Sequence, residues 1–590
     1  MGVAAPYIRF GVFEVDLRSG ELFRQGSRIK LQNQLFQVLV VLLERPGEVV
    51  TREELRDKLW PENTFVDFDR GLNKAINGLR ATLRDHARKP RFIETLPQRG
   101  YRFIAPVEFA GEDSANRARG RDRLLPQQAL RTDSLAVLPF ANMSPDKEQE
   151  FFSDGLAEEI LNALAKVPGL KVIARTSAFA FKGQNTDVRR IAEVLGVTNI
   201  LEGSVRRAGN RIRVTAQLIA AADGSRLWSE RYDRELSDVF TVQDEMAQAI
   251  TSALHLKLGT GAARPRRYTP KVPAYEAYLR ARHHWAKFSL ESLARCKEYL
   301  EQAIALDSQF PLAHSLLAEC FLHFAHFGTM SAREAVPLTR ASAQKALDLE
   351  PSLPEAHAML GVVAGLHDHD WKEAERRFRL AMAQDPVSLD VRTWYAHSFL
   401  VSIGRAREAA VELESVQHED PLNVVFHHMF AICLQRAGRE AEAATEFRHA
   451  LDLEENAPPV LIWLGHHYAS QGMIPEALTC SERLISVMPW NMEVIGGFAG
   501  LLMRTGNQSR AKELLQKLGD GQVYGAPLAF VYFHLLCGEF EAAADWMEKA
   551  IEERHFLAAI YLWSPLANPL REGARWKKLT KMMNLPETAS

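Results

Sequence analysis

Five glycines in the second half of this 590-residue chain keep a ruler-like spacing. Gly404, Gly438, Gly472, Gly506 and Gly538 stand 34, 34, 34 and 32 residues apart, and five residues after each comes an alanine: Ala409, Ala443, Ala477, Ala511 and Ala543. A second ladder, Pro351, Pro386, Pro421, Glu455 and Pro489, keeps nearly the same step. Glycine suits a tight turn between two helices because it has no Cβ to clash in left-handed backbone. The small residue that follows lets the paired helices approach, and proline sits where a helix must stop. A unit of this size buries its apolar face only by stacking on copies of itself, so residues 272–582 read as an all-α array. The chain is too long for one core, and several domains are expected.

This punctuation resembles the tetratricopeptide repeat. Ala443, Phe447 and Ala450 in one repeat, and Leu464, Gly465 and Tyr468 in the next, match the signature positions of that family. Asp307–Glu350 is stretched by about nine residues, which predicts an insertion around Phe327–Ala335. The resemblance implies a superhelix whose concave surface takes a peptide or a partner protein, and a small molecule is a further candidate.

Residues 133–262 read as an α/β domain. SLAVLPF is an apolar strand, Phe151–Val167 a helix, KVIAR a strand and Thr186–Leu195 another helix. Gly209-Asn210 turns a hairpin in which Ile212, Val214, Ala216 and Leu218 alternate with polar residues, and Val239–Leu258 closes the domain as a helix. Strand–helix alternation followed by hairpins implies a mixed sheet. SLAVLPF, FFSDGLAEEI and ILEGSVRR resemble the TolB-like amino-terminal domain, which implies a partner-binding or assembly role. Arg206 and Arg207 beside the turn read as solvated.

The first unit, residues 1–107, carries the charge. From Arg70 to Arg102 there are nine lysines and arginines against Asp85 and Glu94, in a chain whose net charge is only −2. Phe13, Val15 and Leu17 alternate with acids as a half-buried strand of an antiparallel meander. LQNQLFQVLVVLLE is a helix stopped by Pro46-Gly47. Thr51 caps a second helix with Glu54 completing a capping box, and Pro61 ends it. In the third helix, Leu72, Ile76, Leu79 and Leu83 form a buried stripe, while Arg70, Lys74, Asn77, Ala81 and Arg84 share the opposite face. Arginine pairs with guanine edges, asparagine with adenine edges and lysine with phosphates, so this face suits a major groove.

The order meander, helix, capped helix, loop, basic helix, hairpin resembles the winged-helix effector domain of OmpR/PhoB-type response regulators and of the CadC- and ToxR-like one-component activators. DRGLNKAINGLRATL matches the recognition helix of that family, and RFIETLPQRGYRF matches its wing. The resemblance implies that Arg70 and Arg80 contact phosphates, and that the loop Pro61–Phe68 touches RNA polymerase. Asn77 and Gly78 depart from the family pattern, so base reading falls to Asn73, Lys74 or Asn77, and Gly78 is expected to let the helix approach DNA closely. In the wing, Arg99 is expected in the minor groove and Arg102 at phosphate, with Tyr101 and Phe103 packing. Family members bind tandem half-sites, which implies a homodimer on promoter DNA.

The remaining signals are plain. Residues 108–132 are polar, arginine-rich and aperiodic, a flexible linker. No apolar run reaches the roughly 18–20 residues that span a bilayer, and MGVAAPYIRF lacks the pattern of a secretion signal. The five cysteines show no CxxC spacing and read as buried thiols of a cytoplasmic protein. His367-Asp368-His369-Asp370 could hold a divalent cation at a repeat turn, but the adjacent histidine pairs point about 100° apart on a helix. No phosphate loop, HExxH or GxSxG is present. The reading is therefore a multidomain, one-component transcription regulator with a winged-helix head, not an enzyme, with no cofactor and no metal. The alternative is an interaction scaffold whose winged helix binds protein.

Overall fold

The computed structural model describes residues 7–586 except 12, 17–20, 25–26, 30–32, 60–67, 84, 86–89, 97–98, 106, 111–133, 147–148, 185, 255–267, 269, 288 and 385. Two compact units emerge. One is built on the N-terminal domain and includes Phe181–Gly196 and Ala221–Gly224; the other holds Asp133–Ala180, Val197–Ala220 and Ser225–Ser590. Among the described residues no helix is long and apolar enough to cross a membrane.

The N-terminal domain opens with strands β1 (Tyr7–Phe10), β2 (Phe13–Asp16), β3 (Glu21–Arg24) and β4 (Ser27–Ile29), paired antiparallel in order. Helix α1 (Asn33–Glu44) follows and stops at the proline–glycine pair, where Gly47 takes φ +83°. Strand β5 (Val49–Thr51) leads into α2 (Arg52–Leu59). The capping box forms as expected: Glu54 N donates to Thr51 Oγ1 at 3.2 Å, and Thr51 N donates to Glu54 Oε2 at 2.8 Å. Helix α3 (Phe68–Leu83) and the wing strands β6 (Ile93–Leu96) and β7 (Gly100–Phe103) complete the motif, with β7 between β5 and β6. The domain runs past the expected boundary at residue 107. Strand β8 (Glu108–Ala110) returns to pair with β1, setting Ile8 opposite Phe109, so the first residues of the supposed linker belong to the sheet. The remaining linker, 111–132, and the expected stop at Pro61 lie outside the described residues.

The second unit joins a mixed sheet to the array. Strands β9 (Ser134–Val137), β11 (Lys171–Val172) and β12 (Asn199–Ala208) run parallel; β13 (Arg211–Ala220) and β14 (Arg226–Glu235) extend the sheet antiparallel, and short β10 (Ala141–Asn142) pairs with β12. Gly209 turns the β12–β13 hairpin at φ +59°, which leaves Ile212, Val214, Ala216 and Leu218 buried. One continuous apolar core runs from this sheet through the helices Glu150–Leu164 and Val239–Ala253 to the first helices of the array, Val272–Trp285 and Leu290–Leu306. Polar contacts reinforce that union. The buried Glu158 carboxylate forms an ion pair with Arg175, 2.9 Å from its Nε, and accepts from Arg282 Nη2. Asp420 Oδ1 accepts from Ser177 N at 2.9 Å and from Ser177 Oγ at 2.5 Å.

The array repeats antiparallel helix pairs. All five ladder glycines take left-handed backbone, and the alanines five residues later are at most 1% exposed. The stretched repeat carries its surplus mostly in its helices rather than in a loop: Pro311–His326 and Ala332–Leu349 have 16 and 18 residues, against 13 and 14 in Val424–Arg436 and Glu440–Leu453. The inner face carries a further segment of the chain. The tail after Glu552 crosses it. Arg554 donates to the Asp368 carbonyl at 3.1 Å, Trp563 Nε1 to the Ser402 carbonyl at 3.0 Å, and Trp371 Nε1 to the Met583 carbonyl at 2.8 Å. Phe556, Tyr561 and Trp563 are buried against His326, His466 and Arg436 of three different repeats.

Burial beneath the tail holds histidines and carboxyls of the array neutral. Burial pulls His326 down to about 4 and His466 and His555 to about 3, and pushes Glu493 up to about 8 against the opposing hydrogen bond from Tyr561. Glu493 lies 3.6 Å from His555 Nε2 and 9% exposed. Between the ordinary carboxyl range and about 8 the folded chain keeps a proton here that the unfolded chain releases, so stability falls as pH climbs through that window. Glu319, raised to about 8 chiefly by burial, adds the same sign. The neutral histidines contribute the opposite sign below their ordinary value of 6.5, so thermal unfolding of the intact chain from about pH 7 to 9 is expected to show a falling midpoint, with a shallower fall in Glu493→Gln. Equal slopes would show that Glu493 is already ionised at neutral pH.

Candidate nucleic-acid interface

Helix α3 is fixed from beneath. Leu72, Ile76, Leu79 and Leu83 are at most 1% exposed and pack into a core shared with Phe36, Val38, Leu39 and Leu42 of α1. Gly78 is half-buried and lies close to α1: a methyl group there would sit 2.9 Å from Leu35 Cδ2. On the outer face Asn73 and Asn77 are exposed, one helical turn apart. Arg70 and Lys74 occupy the same helix, and the side chains of both, like Arg84 altogether, lie outside the described residues.

Arg80 is not outward. It is 6% exposed, and its Nη2 donates to the Ile93 carbonyl and to Thr95 Oγ1, both at 2.7 Å. The expected phosphate contact is thus corrected to an internal one, a guanidinium tying the recognition helix to the first wing strand. The physical reason is supply: the edge of β6 presents a carbonyl and a hydroxyl that need a donor, and Arg80 sits one turn after Ile76 on the buried side. Asn73 is also partly committed. Its Oδ1 accepts from Tyr101 Oη at 2.9 Å and from Arg52 Nη2 at 3.1 Å, while the Arg52 guanidinium lies 5.5 Å from the Tyr101 ring centre. Tyr101 packs as expected, 2% exposed, but its hydroxyl also locks α3 to the wing. Arg102 pairs across the hairpin with Glu94 at 2.6 Å. Asn77 and Arg99 remain exposed, with no side-chain partner among the described residues.

Two residues that hold this geometry escaped the reading of the sequence. Asp85 counted there only as an opposing charge. It is buried, its N–H donates to the Arg80 carbonyl at 2.8 Å, and its carboxylate accepts from Arg91 N at 2.6 Å and Ile93 N at 2.8 Å. A single acid directly after the helix of a basic run was the available signal. Gly100 is the second. A Cβ there would lie 2.1 Å from the Val50 carbonyl oxygen, so β7 can cross beside β5 only without a side chain. The loop Pro61–Phe68 lies outside the described residues up to Phe68, which opens α3.

Among the described residues, His427, Glu446 and His449 bring ligand atoms within 4.8 Å of one another. Both ring nitrogens of His427 are already engaged, Nδ1 with Glu446 at 2.6 Å and Nε2 with the Pro421 carbonyl at 2.8 Å. The second bond recurs at His314 with Ser308 and at His357 with Pro351, a structural tie of the repeat. The His367–Asp370 run is likewise absorbed: Asp368 bonds Arg340 at 2.8 Å and His369 Nδ1 bonds Arg554 at 2.8 Å.

These contacts separate structural from surface residues by experiment. Arg80→Ala is expected to cost about 2 kcal/mol of domain stability, the scale of a lost charged hydrogen bond in a buried site. Hydrogen exchange of the intact chain should then quicken across Ile93–Phe103, while Asn77→Ala leaves it unchanged. Equal protection in both variants would remove Arg80 from the scaffold.

Comparison with known proteins accords with this geometry. Residues 26–103 match the family described as transcriptional regulatory protein, C terminal. The putative adenylate cyclase 3 of Rhizobium meliloti is 41% identical over 240 residues, 40% of this chain and 41% of that protein. This chain therefore spans about two fifths of the length of that relative. The transcriptional regulator HilA of Salmonella typhimurium is 24% identical over 406 residues, 68% of each chain. The solved DNA-binding domain of Escherichia coli CadC is 30% identical, with a TM-score of 0.16 over 18% of this chain and 99% of that one. The chain carries, at residues 26–103, an OmpR/PhoB-type winged-helix domain of the transcriptional regulatory protein C-terminal family.

Proposed function

We propose that the protein is a cytoplasmic, one-component transcription regulator, without a reaction of its own, that binds double-stranded promoter DNA through α3 and the wing. The observation that carries this reading is the pairing of an exposed polar face on α3 with an exposed arginine at the wing tip, both held by buried contacts. A helix of 16 residues is about 24 Å long and enters a major groove. Asn77 offers an amide for an adenine edge, Arg70, Lys74 and Arg84 supply charge along the backbone, and Arg99 reaches the minor groove. Asn73 contributes its free amide N–H groups, since its carbonyl is taken. Arg102 meets phosphate only by giving up Glu94. Pairing as a homodimer and contact of the Pro61–Phe68 loop with RNA polymerase complete the proposal, and the α/β unit and array serve as the input. Because the tail fills the inner face, a peptide or protein partner of the array would meet its outer surface or displace the tail.

The test is retention of genomic fragments by the intact chain over a salt series. Arg99→Ala is expected to weaken binding to all sequences and to lower the salt slope by about one unit. Asn77→Ala should instead cost about 1–3 kcal/mol on the preferred site alone. Absence of retention at low salt would overturn DNA binding and leave the winged helix as a protein-binding module.

A further inference from the structure

Two arginines flank one tryptophan of the array, and among the described residues neither has an ion-pair partner. Arg436 closes the helix Val424–Arg436, and its guanidinium carbon lies 4.1 Å from the centre of the Trp563 ring. Arg571 comes from the tail, and its guanidinium carbon lies 5.8 Å from the same ring. Trp563 is buried and anchored through Nε1 to the Ser402 carbonyl, so one indole is shared by a cation of the repeats and a cation of the tail.

The two arginines are held differently. Arg571 is fixed by its Nη1, which donates to the carbonyls of Leu562 and Ser564, and by its Nη2, which donates to Asn568 Oδ1. The Arg436 guanidinium makes no hydrogen bond or ion pair among the described residues, and its Nε is buried without an acceptor. No carboxylate among the described residues lies within ion-pair distance of either group. Glu572, beside Arg571 in sequence, is the acid whose charge reaches it. Elsewhere in the array half-buried arginines are matched: Arg392 pairs with Glu412 and Glu419, and Arg575 with Glu541, Asp545 and Glu548. Burial first, and the neighbouring Arg571 second, bring Arg436 down to about 9, while burial brings Arg571 to about 10. The end of the Arg436 helix supplies only a partial negative charge. Cations withdrawn from water in this way are paired or they are costly.

We propose that Arg436, Trp563 and Arg571 form an oxyanion site that takes the phosphate or carboxylate group of a small ligand. The unpaired Arg436 fork matches such a group in shape and charge, and Arg571, whose Nη atoms already serve acceptors of the tail, adds its positive charge beside it. One fork belongs to the repeats and the other to the tail, so a bound anion pins the tail to the inner face and gives the array a chemical input. The claim stands on the unmatched cation pair and goes beyond the DNA-binding reading.

Calorimetric titration of the full chain with inorganic phosphate, and separately with acetate, tests it, together with the unfolding midpoint. Saturable binding is expected, with a raised midpoint, and a dissociation constant weakened roughly tenfold or more in Arg436→Gln and in Arg571→Gln. Arg436→Lys should retain part of it. Without anion, Arg436→Gln is expected to unfold no lower than the parent, because it removes one of two like charges, whereas a merely structural arginine would lower the midpoint. Preference for phosphate assigns a phosphorylated ligand, and preference for acetate a carboxylate. No saturable binding of either anion, unchanged binding in both variants, or a lower anion-free midpoint in Arg436→Gln would each overturn the site. None of these readouts involves DNA, so their failure leaves the winged-helix reading intact.

Discussion

Close approach of helix backbones is the constraint on which the larger part of this molecule depends. At Gly496 a Cβ would fall 2.2 Å from the Ala529 carbonyl oxygen, and at Gly365 it would fall 2.9 Å from the Trp371 ring. The buried alanines after each left-handed turn serve the same end. Small residues bring helices within reach of continuous dispersion contact, and each repeat completes the core of the next. The same core extends into the sheet domain, which is why Glu158 and Ser177 meet partners more than a hundred residues away.

Such packing leaves polar side chains of the inner helices facing the tail rather than water. Histidines there are held neutral by burial, and carboxyls such as Glu493 are held protonated. Hydrogen bonds from Trp371 and Trp563 to backbone carbonyls satisfy groups that an apolar tail would orphan. The arginine pair at Trp563 is the conspicuous remainder, since the rest of the interior is either neutral or matched.

In the N-terminal domain the same economy divides one charge run into two kinds of residue. Arg80 and Asp85 spend their charge on backbone groups between α3 and the wing. Asn77 and Arg99 are left at the surface by that scaffold. The first pair belongs to the internal scaffold and the second to the surface, although all four lie within 23 residues of each other.

Periodicity and turn chemistry were enough to read the helices, the capping box at Thr51, the hairpin at Gly209, the buried stripe of α3 and the repeat ladder, because each rests on contacts between near neighbours in sequence. Which basic residues face outward was not legible. Arg80 and Arg84 are alike in type and four residues apart in sequence, and acceptors on the wing, the Ile93 carbonyl and Thr95 Oγ1, turn Arg80 inward. The pairing of β8 with β1, the packing of Gly78 on Leu35, and the tail across the repeats likewise join segments far apart in sequence. The sequence by itself determined the kinds of element and their order, since local backbone sterics and apolar spacing dictate them. Only the tertiary structure decided which polar groups are spent inside and which remain to bind, because that depends on acceptors supplied by distant chain.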